Sequence, residues 1–132
     1  PALQAGKVVL CDRFADSTLA YQGYGYGQDR QELARIIRYA TGGLTPDLTL
    51  YLDVKPEVGL ALKQAGSGQE WNRLDARTVA FHRAVQAGYQ ALISGEPERW
   101  QVIDSDQPAQ AVHRAIVEVV SARISVGVKE LL

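Results

Sequence analysis

Residues 48–54 read LTLYLDV and residues 100–104 read WQVID. Both are short apolar runs rich in branched and aromatic side chains, and each carries an aspartate at or next to its end, Asp53 and Asp104. A third run, KVVLCD at 7–12, ends on Asp12 in the same way. Apolar runs with little polar alternation suit strands buried on both faces, as in a parallel sheet. Polar groups at the carboxyl ends of such strands stand where open α/β sheets bind ligands.

The stretches between these runs carry helical periodicity. In residues 29–41 (DRQELARIIRYAT), Leu33, Ile36, Ile37 and Ala40 form one stripe, with Asp29 as N-cap and Gly42-Gly43 as the stop. Pro56 opens a helix running to Gln64, with Val58, Ala61 and Leu62 on one face. Thr78–Ser94 aligns Phe81, Val85, Tyr89, Leu92 and Ile93, and Pro108–Ile124 aligns Val112, Ile116, Val119 and Val120. Strand and helix thus alternate three times, which defines an α/β chain with crossover helices. Two glycine-rich stretches lack periodicity: GYGYGQ at 23–28, read as a flexible turn between helices, and AGSGQE at 65–70, read with Arg73 and Arg77 as a mobile loop.

Composition narrows the function classes. The chain has 132 residues, 46% of them hydrophobic and 22% charged, which excludes a disordered or fibrous chain and fits one domain. A formal net charge of -1 argues against a nucleic-acid-coating protein. No apolar run approaches the roughly 20 residues of a membrane helix. The one cysteine, Cys11, lies inside an apolar run and reads as a buried, inert thiol. With no disulfide framework and no leader pattern, a cytoplasmic location is expected. The sequence has no methionine and starts at Pro1, so either a trimmed start or a piece of a longer chain is expected.

The strongest chemical signal is DRFADSTLAYQG at 12–23. An Asp-Arg pair directly after an apolar run would put Arg13 at a strand end, able to grip an anion bidentately. Asp12 could hold Arg13, accept from a hydroxyl or bind a hydrated Mg²⁺. Phe14, Ser17, Thr18, Tyr21 and Gln22 recur at helical spacing and fall on one polar face. The residues alone leave two readings open: a ligand-lining face, or a strand-end ion pair followed by a solvated helix. Other chemistries lack support. GYGYG is not a dinucleotide fingerprint, because Gln28 stands where the third glycine belongs. A phosphate loop, G-x-x-x-x-G-K-[ST], is not present; at Gly6-Lys7, Pro1 and Val8 occupy its outer positions. His82 and His113 have no second ligand at metal spacing, and no serine sits in a G-x-S-x-G context.

At this motif the chain closely resembles thymidylate kinase of the bacterial type. The family pattern is Asp-Arg, an aromatic or His, Ser, then Ala-Tyr-Gln-Gly at this spacing. TPDLTLYLDV at 45–54, PEVGL at 56–60, NRLD at 72–75, AFHRAVQAGYQAL at 80–92 and VIDSDQP at 102–108 resemble further family segments in order. The resemblance implies a three-layer parallel sheet of the P-loop nucleoside-monophosphate-kinase type, forming one partial domain over 1–132 with a lid-like segment at 63–77. The family's first strand and P-loop lie upstream of the match, so this chain is expected to pair across the resulting gap, swap elements in an oligomer, or belong to a longer polypeptide. The implied reaction moves the ATP γ-phosphoryl to dTMP, with Mg²⁺ accompanying ATP.

By the same resemblance, Arg13 would bind the acceptor phosphate and Asp12 would lie near the sugar hydroxyl and the metal. Ser17, Thr18 and Gln22 would approach the thymine, and Tyr21 the sugar. Arg73 would stabilise the transferring phosphoryl, and Asp106 and Gln107 would lie on the adenine side. Expected partners are nucleotides and a second copy of the chain in a homodimer, with neither nucleic acid nor membrane. The pattern departs at Tyr26, which replaces an arginine, and at Leu62, Gln64 and Gly66, where many members carry arginines. A truncated, non-catalytic module that keeps only the dTMP face is the alternative function. A generic α/β domain is the third.

Overall fold

The computed structural model describes residues 1–65 and 78–124. The backbone order is a short helix α1 (Ala15–Thr18) running into a π-helical segment (Leu19–Gly25), then α2 (Arg30–Thr41), β1 (Thr49–Asp53), α3 (Pro56–Ala65), α4 (Val79–Gly95), β2 (Trp100–Asp104) and α5 (Ala109–Arg123). Residues 66–70 of the expected loop at 65–70, the NRLD motif, Arg73, Arg77 and nearly all of the lid-like segment 63–77 lie outside the described residues.

The two expected strands form. β1 and β2 pair in parallel, with Thr49 opposite Trp100 and Asp53 opposite Asp104. Bonds just beyond the ladder extend the pairing: Thr49 N donates to Arg99 O at 2.8 Å and Ser105 N to Asp53 O at 2.8 Å. A parallel pair needs a long crossover, and α3 and α4 supply it. α5 then packs back on β2, with Val112, Ile116, Val119 and Val120 half-buried, as the spacing requires.

The third expected strand does not form. Residues 7–12 lie outside the sheet, which among the described residues has only two strands. Pairing of this run with β1 across the gap is therefore not formed. Val8, Val9 and Leu10 are 63%, 51% and 92% exposed. An extended segment stays in a sheet only where a neighbour offers its backbone, and apolar composition alone does not supply that partner. Cys11 is exposed for the same reason, correcting the expectation of a buried thiol.

Helix boundaries follow local chemistry closely. Asp29 caps α2, its Oδ1 accepting from Gln31 N at 2.8 Å and Glu32 N at 3.0 Å. Gly42 ends the helix in the left-handed region at φ 63°, and Gly43 N donates to Arg38 O at 2.9 Å, which satisfies orphan carbonyls. Thr78 caps α4 through Phe81 N at 3.3 Å. The apolar stripe of α2 is only partly covered: Leu33 and Ile37 are half-buried, whereas Ile36 is exposed.

The GYGYG stretch is not a flexible turn. Gly23 and Gly25 belong to the π-helical segment, which is the main partner of α4. The wide turn shows in the bond from Tyr26 N to Tyr21 O, 2.9 Å. Its glycines are needed for contact. A Cβ on Gly25 would lie 2.7 Å from Phe81 Cε2, and one on Gly88 of α4 would lie 2.7 Å from Tyr24 Cγ. Each element therefore brings a residue without a side chain to the place where the other's ring presses.

Candidate functional site

The site grows from the turn that precedes α1. Arg13 adopts φ 57°, the one positive φ at a non-glycine position among the described residues. That conformation costs an ordinary L-residue on the order of 1–2 kcal/mol, and such strain collects where function needs a side chain aimed. Here it carries the guanidinium back over α1. Its Cζ lies 4.5 Å from the centroid of the Tyr21 ring, within cation–π range, and Nε donates to Ser17 Oγ at 3.4 Å. Ser17 Oγ in turn lies 2.9 Å from Tyr89 Oη on α4. Tyr21 meets Phe81 edge-on, with centroids 6.1 Å apart.

Arg13, Ser17 and Tyr21 are thus brought together, Arg13 through its left-handed turn and the other two along the helical run. Asp12 is exposed on the turn beside Arg13. Thr18 and Gln22 are half-buried on the same helical run. Because α1 passes into wider turns at Leu19, the single face expected from 3.6-residue spacing is re-phased beyond Thr18. Asp106 and Gln107 form a separate cluster after β2. Asp104 accepts there from Asp106 N at 2.9 Å and from Gln107 Nε2 at 3.0 Å. Arg73 lies outside the described residues.

Several residues that sequence reasoning passed over complete the surroundings. Arg99 is buried and forks onto Asp16, Nη1 to Oδ2 at 2.8 Å and Nη2 to Oδ1 at 2.9 Å. At the carboxyl end of β1, Gln86 Nε2 donates to Asp53 Oδ1 at 3.1 Å. Tyr51 and Tyr89 pack with ring centroids 5.0 Å apart. Burial first, and then the Asp53 carboxylate, push the Tyr51 phenol well above its ordinary pKa. Burial also raises Tyr89, with the Ser17 hydrogen bond acting against it. Tyr89 was legible as part of a helix stripe, but its hydroxyl partner was not.

The chemistry on offer is anion and hydroxyl recognition. One forked cation stands beside a hydroxyl, an aromatic ring and an exposed carboxylate. Among the described residues no three His, Cys, Asp or Glu side chains converge into a metal centre. Mg²⁺ commonly takes one or two carboxylates and keeps several waters, a demand that Asp12 fits as a single, water-accessible ligand. No described helix is long and apolar enough to cross a membrane.

A parallel strand pair with crossover helices, led by an arginine-bearing helical turn, defines an α/β chain. Comparison with known proteins makes the class specific. The family model described as Thymidylate kinase matches residues 1–116. The chain belongs to the thymidylate kinase family. It is 51% identical over 131 residues to a thymidylate kinase of Roseiflexus castenholzii, a match covering 91% of this chain and 57% of that protein. It is 45% identical over 120 residues to one of Bacillus pumilus, covering 91% and 57%. To one of Thermomicrobium roseum it is 50% identical over 116 residues, covering 88% and 55%. The chain thus spans between 54% and 60% of the length of the curated relatives it matches.

Proposed function

We propose that the protein containing this chain is a dTMP kinase, and that these residues carry its acceptor side. The observation that carries the reading is the strained Arg13 turn. A left-handed arginine, held over Tyr21 and Ser17 at a family motif, is disposed to clasp a monophosphate. Arg13 binds the phosphate of dTMP through its fork. Tyr21 covers the deoxyribose, while Ser17, Thr18 and Gln22 approach the thymine. Asp12 accepts from the sugar hydroxyl and holds a water-rich Mg²⁺. Arg73 stabilises charge on the transferring phosphoryl group, and Asp106 and Gln107 stand toward the adenine of ATP. The protein works in the cytoplasm as a homodimer.

Phosphoryl transfer asks little covalent work of a protein; it asks for alignment and charge stabilisation. The residues here supply alignment of the acceptor. Mg²⁺, bound with ATP, supplies charge neutralisation on the phosphates. The 132 residues include no G-x-x-x-x-G-K-[ST] loop, so by themselves they serve acceptor binding before turnover. That observation favours, as a second reading, a module that retains only the dTMP face.

Titrating the chain with dTMP tests the first claim: saturable binding is expected, abolished by Arg13→Ala. Following ATP-dependent dTDP formation separates the readings, since binding without turnover supports the module. Absence of dTMP binding by the wild-type chain overturns both.

A further inference from the structure

We propose that Arg99 is a positioning residue for the acceptor phosphate, acting through Asp16 to hold Arg13 in place. The proposal deepens the dTMP reading and rests on it. Arg99 is only 9% exposed, and its guanidinium touches three elements. It forks onto Asp16 of α1, donates from Nη1 to Thr49 Oγ1 of β1 at 2.9 Å, and donates from Nε to Glu96 Oε2 after α4 at 2.9 Å. Its Cζ also lies 4.8 Å from the centroid of the Trp100 ring. Its backbone is fixed as well, because Arg99 O accepts from Thr49 N at the start of the strand pair. The guanidinium is therefore anchored to the sheet before it reaches α1.

α1 needs such an anchor. It opens a helical run that continues through the π-helical segment to Gly25, and Phe14 at its N-cap gives no side-chain hydrogen bond. The first turn of a helix leaves its backbone donors unmet, so its start is held least by the run itself. Yet Asp16 sits between Arg13, which would meet the phosphate, and Ser17, which accepts from Arg13 Nε. Arg13 is also strained and would relax if α1 could turn. A bidentate Arg–carboxylate pair fixes angle as well as distance. The fork from Arg99 thus sets the rotation of α1 about its axis. Lysine carries the same charge but offers a point rather than a fork.

The test compares dTMP with thymidine, which lacks the phosphate, by calorimetric titration of the wild-type protein, Arg13→Ala, Arg99→Lys and the double variant. If Arg99 acts through Arg13, Arg99→Lys weakens dTMP binding by about tenfold or more and leaves thymidine binding unchanged. Added to Arg13→Ala, Arg99→Lys then causes no further loss, because the side chain it positions is already gone. Equal weakening of both ligands marks a merely structural role and overturns the proposal, as does unchanged dTMP binding in a folded Arg99→Lys protein. Asp16→Asn, which alters the other end of the pair with a smaller change, gives the same reading if Arg99→Lys does not fold. Loss of the dTMP preference in Arg13→Ala but not in either pair variant sinks the Arg99 proposal while the dTMP reading stands. A wild-type protein that binds both ligands equally overturns both.

Discussion

The hydroxyls of Ser17 and Tyr89, 72 residues apart in the chain, lie 2.9 Å from one another. This bond ties the Arg13 turn to α4, which otherwise meets it through rings and glycines. Tyr89→Phe removes the partner and keeps the packing against Tyr51 and Trp100. A loss of about 1 kcal/mol in stability is expected, measured by urea unfolding. Weaker dTMP binding is expected with it, because Ser17 no longer has a fixed orientation toward Arg13.

Arg13 stores backbone strain for aim. At its φ of 57°, glycine is favoured over any residue bearing a Cβ. Arg13→Gly is expected to be more stable than Arg13→Ala by about 1 kcal/mol, although both lose dTMP binding. Thermal unfolding of the two variants side by side checks this; equal stability would mean that the turn is relaxed.

The seam between α4 and the π-helical segment tolerates no added methyl group at Gly88. A Cβ there meets the Cβ and ring base of Tyr24 at 2.7–2.8 Å, which cannot swing aside as a side-chain tip can. Gly88→Ala is expected to cost about 1–3 kcal/mol, read from the denaturant midpoint. Tyr24→Ala in the same background should recover part of the loss.

Alkaline conditions should loosen the fold through Tyr51. Its phenol pKa is raised in the folded chain, chiefly by burial and then by Asp53, so the folded state holds the proton longer. Below the unfolded tyrosine value of about 10, both states are neutral and the full stability is present. As pH rises above it, the unfolded state ionises first and stability falls. Urea midpoints between about pH 9 and 11 should decline more steeply in the wild type than in Tyr51→Phe.

Much of this architecture was legible because it is local. The Asp29 cap, the Gly42 stop and the spacing of Val112, Ile116, Val119 and Val120 act within one helix. Strands 49–53 and 100–104 carry enough branched and aromatic residues to be read without knowing their partners. The run at 7–12 has the same composition, yet membership in a sheet depends on a neighbour's backbone, which composition does not encode. The π-helical turns escaped because periodicity was counted at 3.6 residues. In the candidate site, Ser17 and Tyr21 shared a helical stripe, whereas Arg13 joins them through a left-handed turn that spacing does not encode. The Arg99–Asp16 fork joins residues 83 apart, and the hint available was an arginine lying directly before a strand.

The π-helical segment also makes the chain a length gauge. Wide turns take up more residues per revolution than α turns do, so the seven residues from Leu19 to Gly25 meter where the following backbone points. Deleting one residue there, with the wide turns kept, would swing everything after it by roughly a quarter-turn. Gly25 would leave Phe81, and Asp29 would begin α2 in a new direction. In this stretch the number of residues, as much as their identity, sets the heading of the chain.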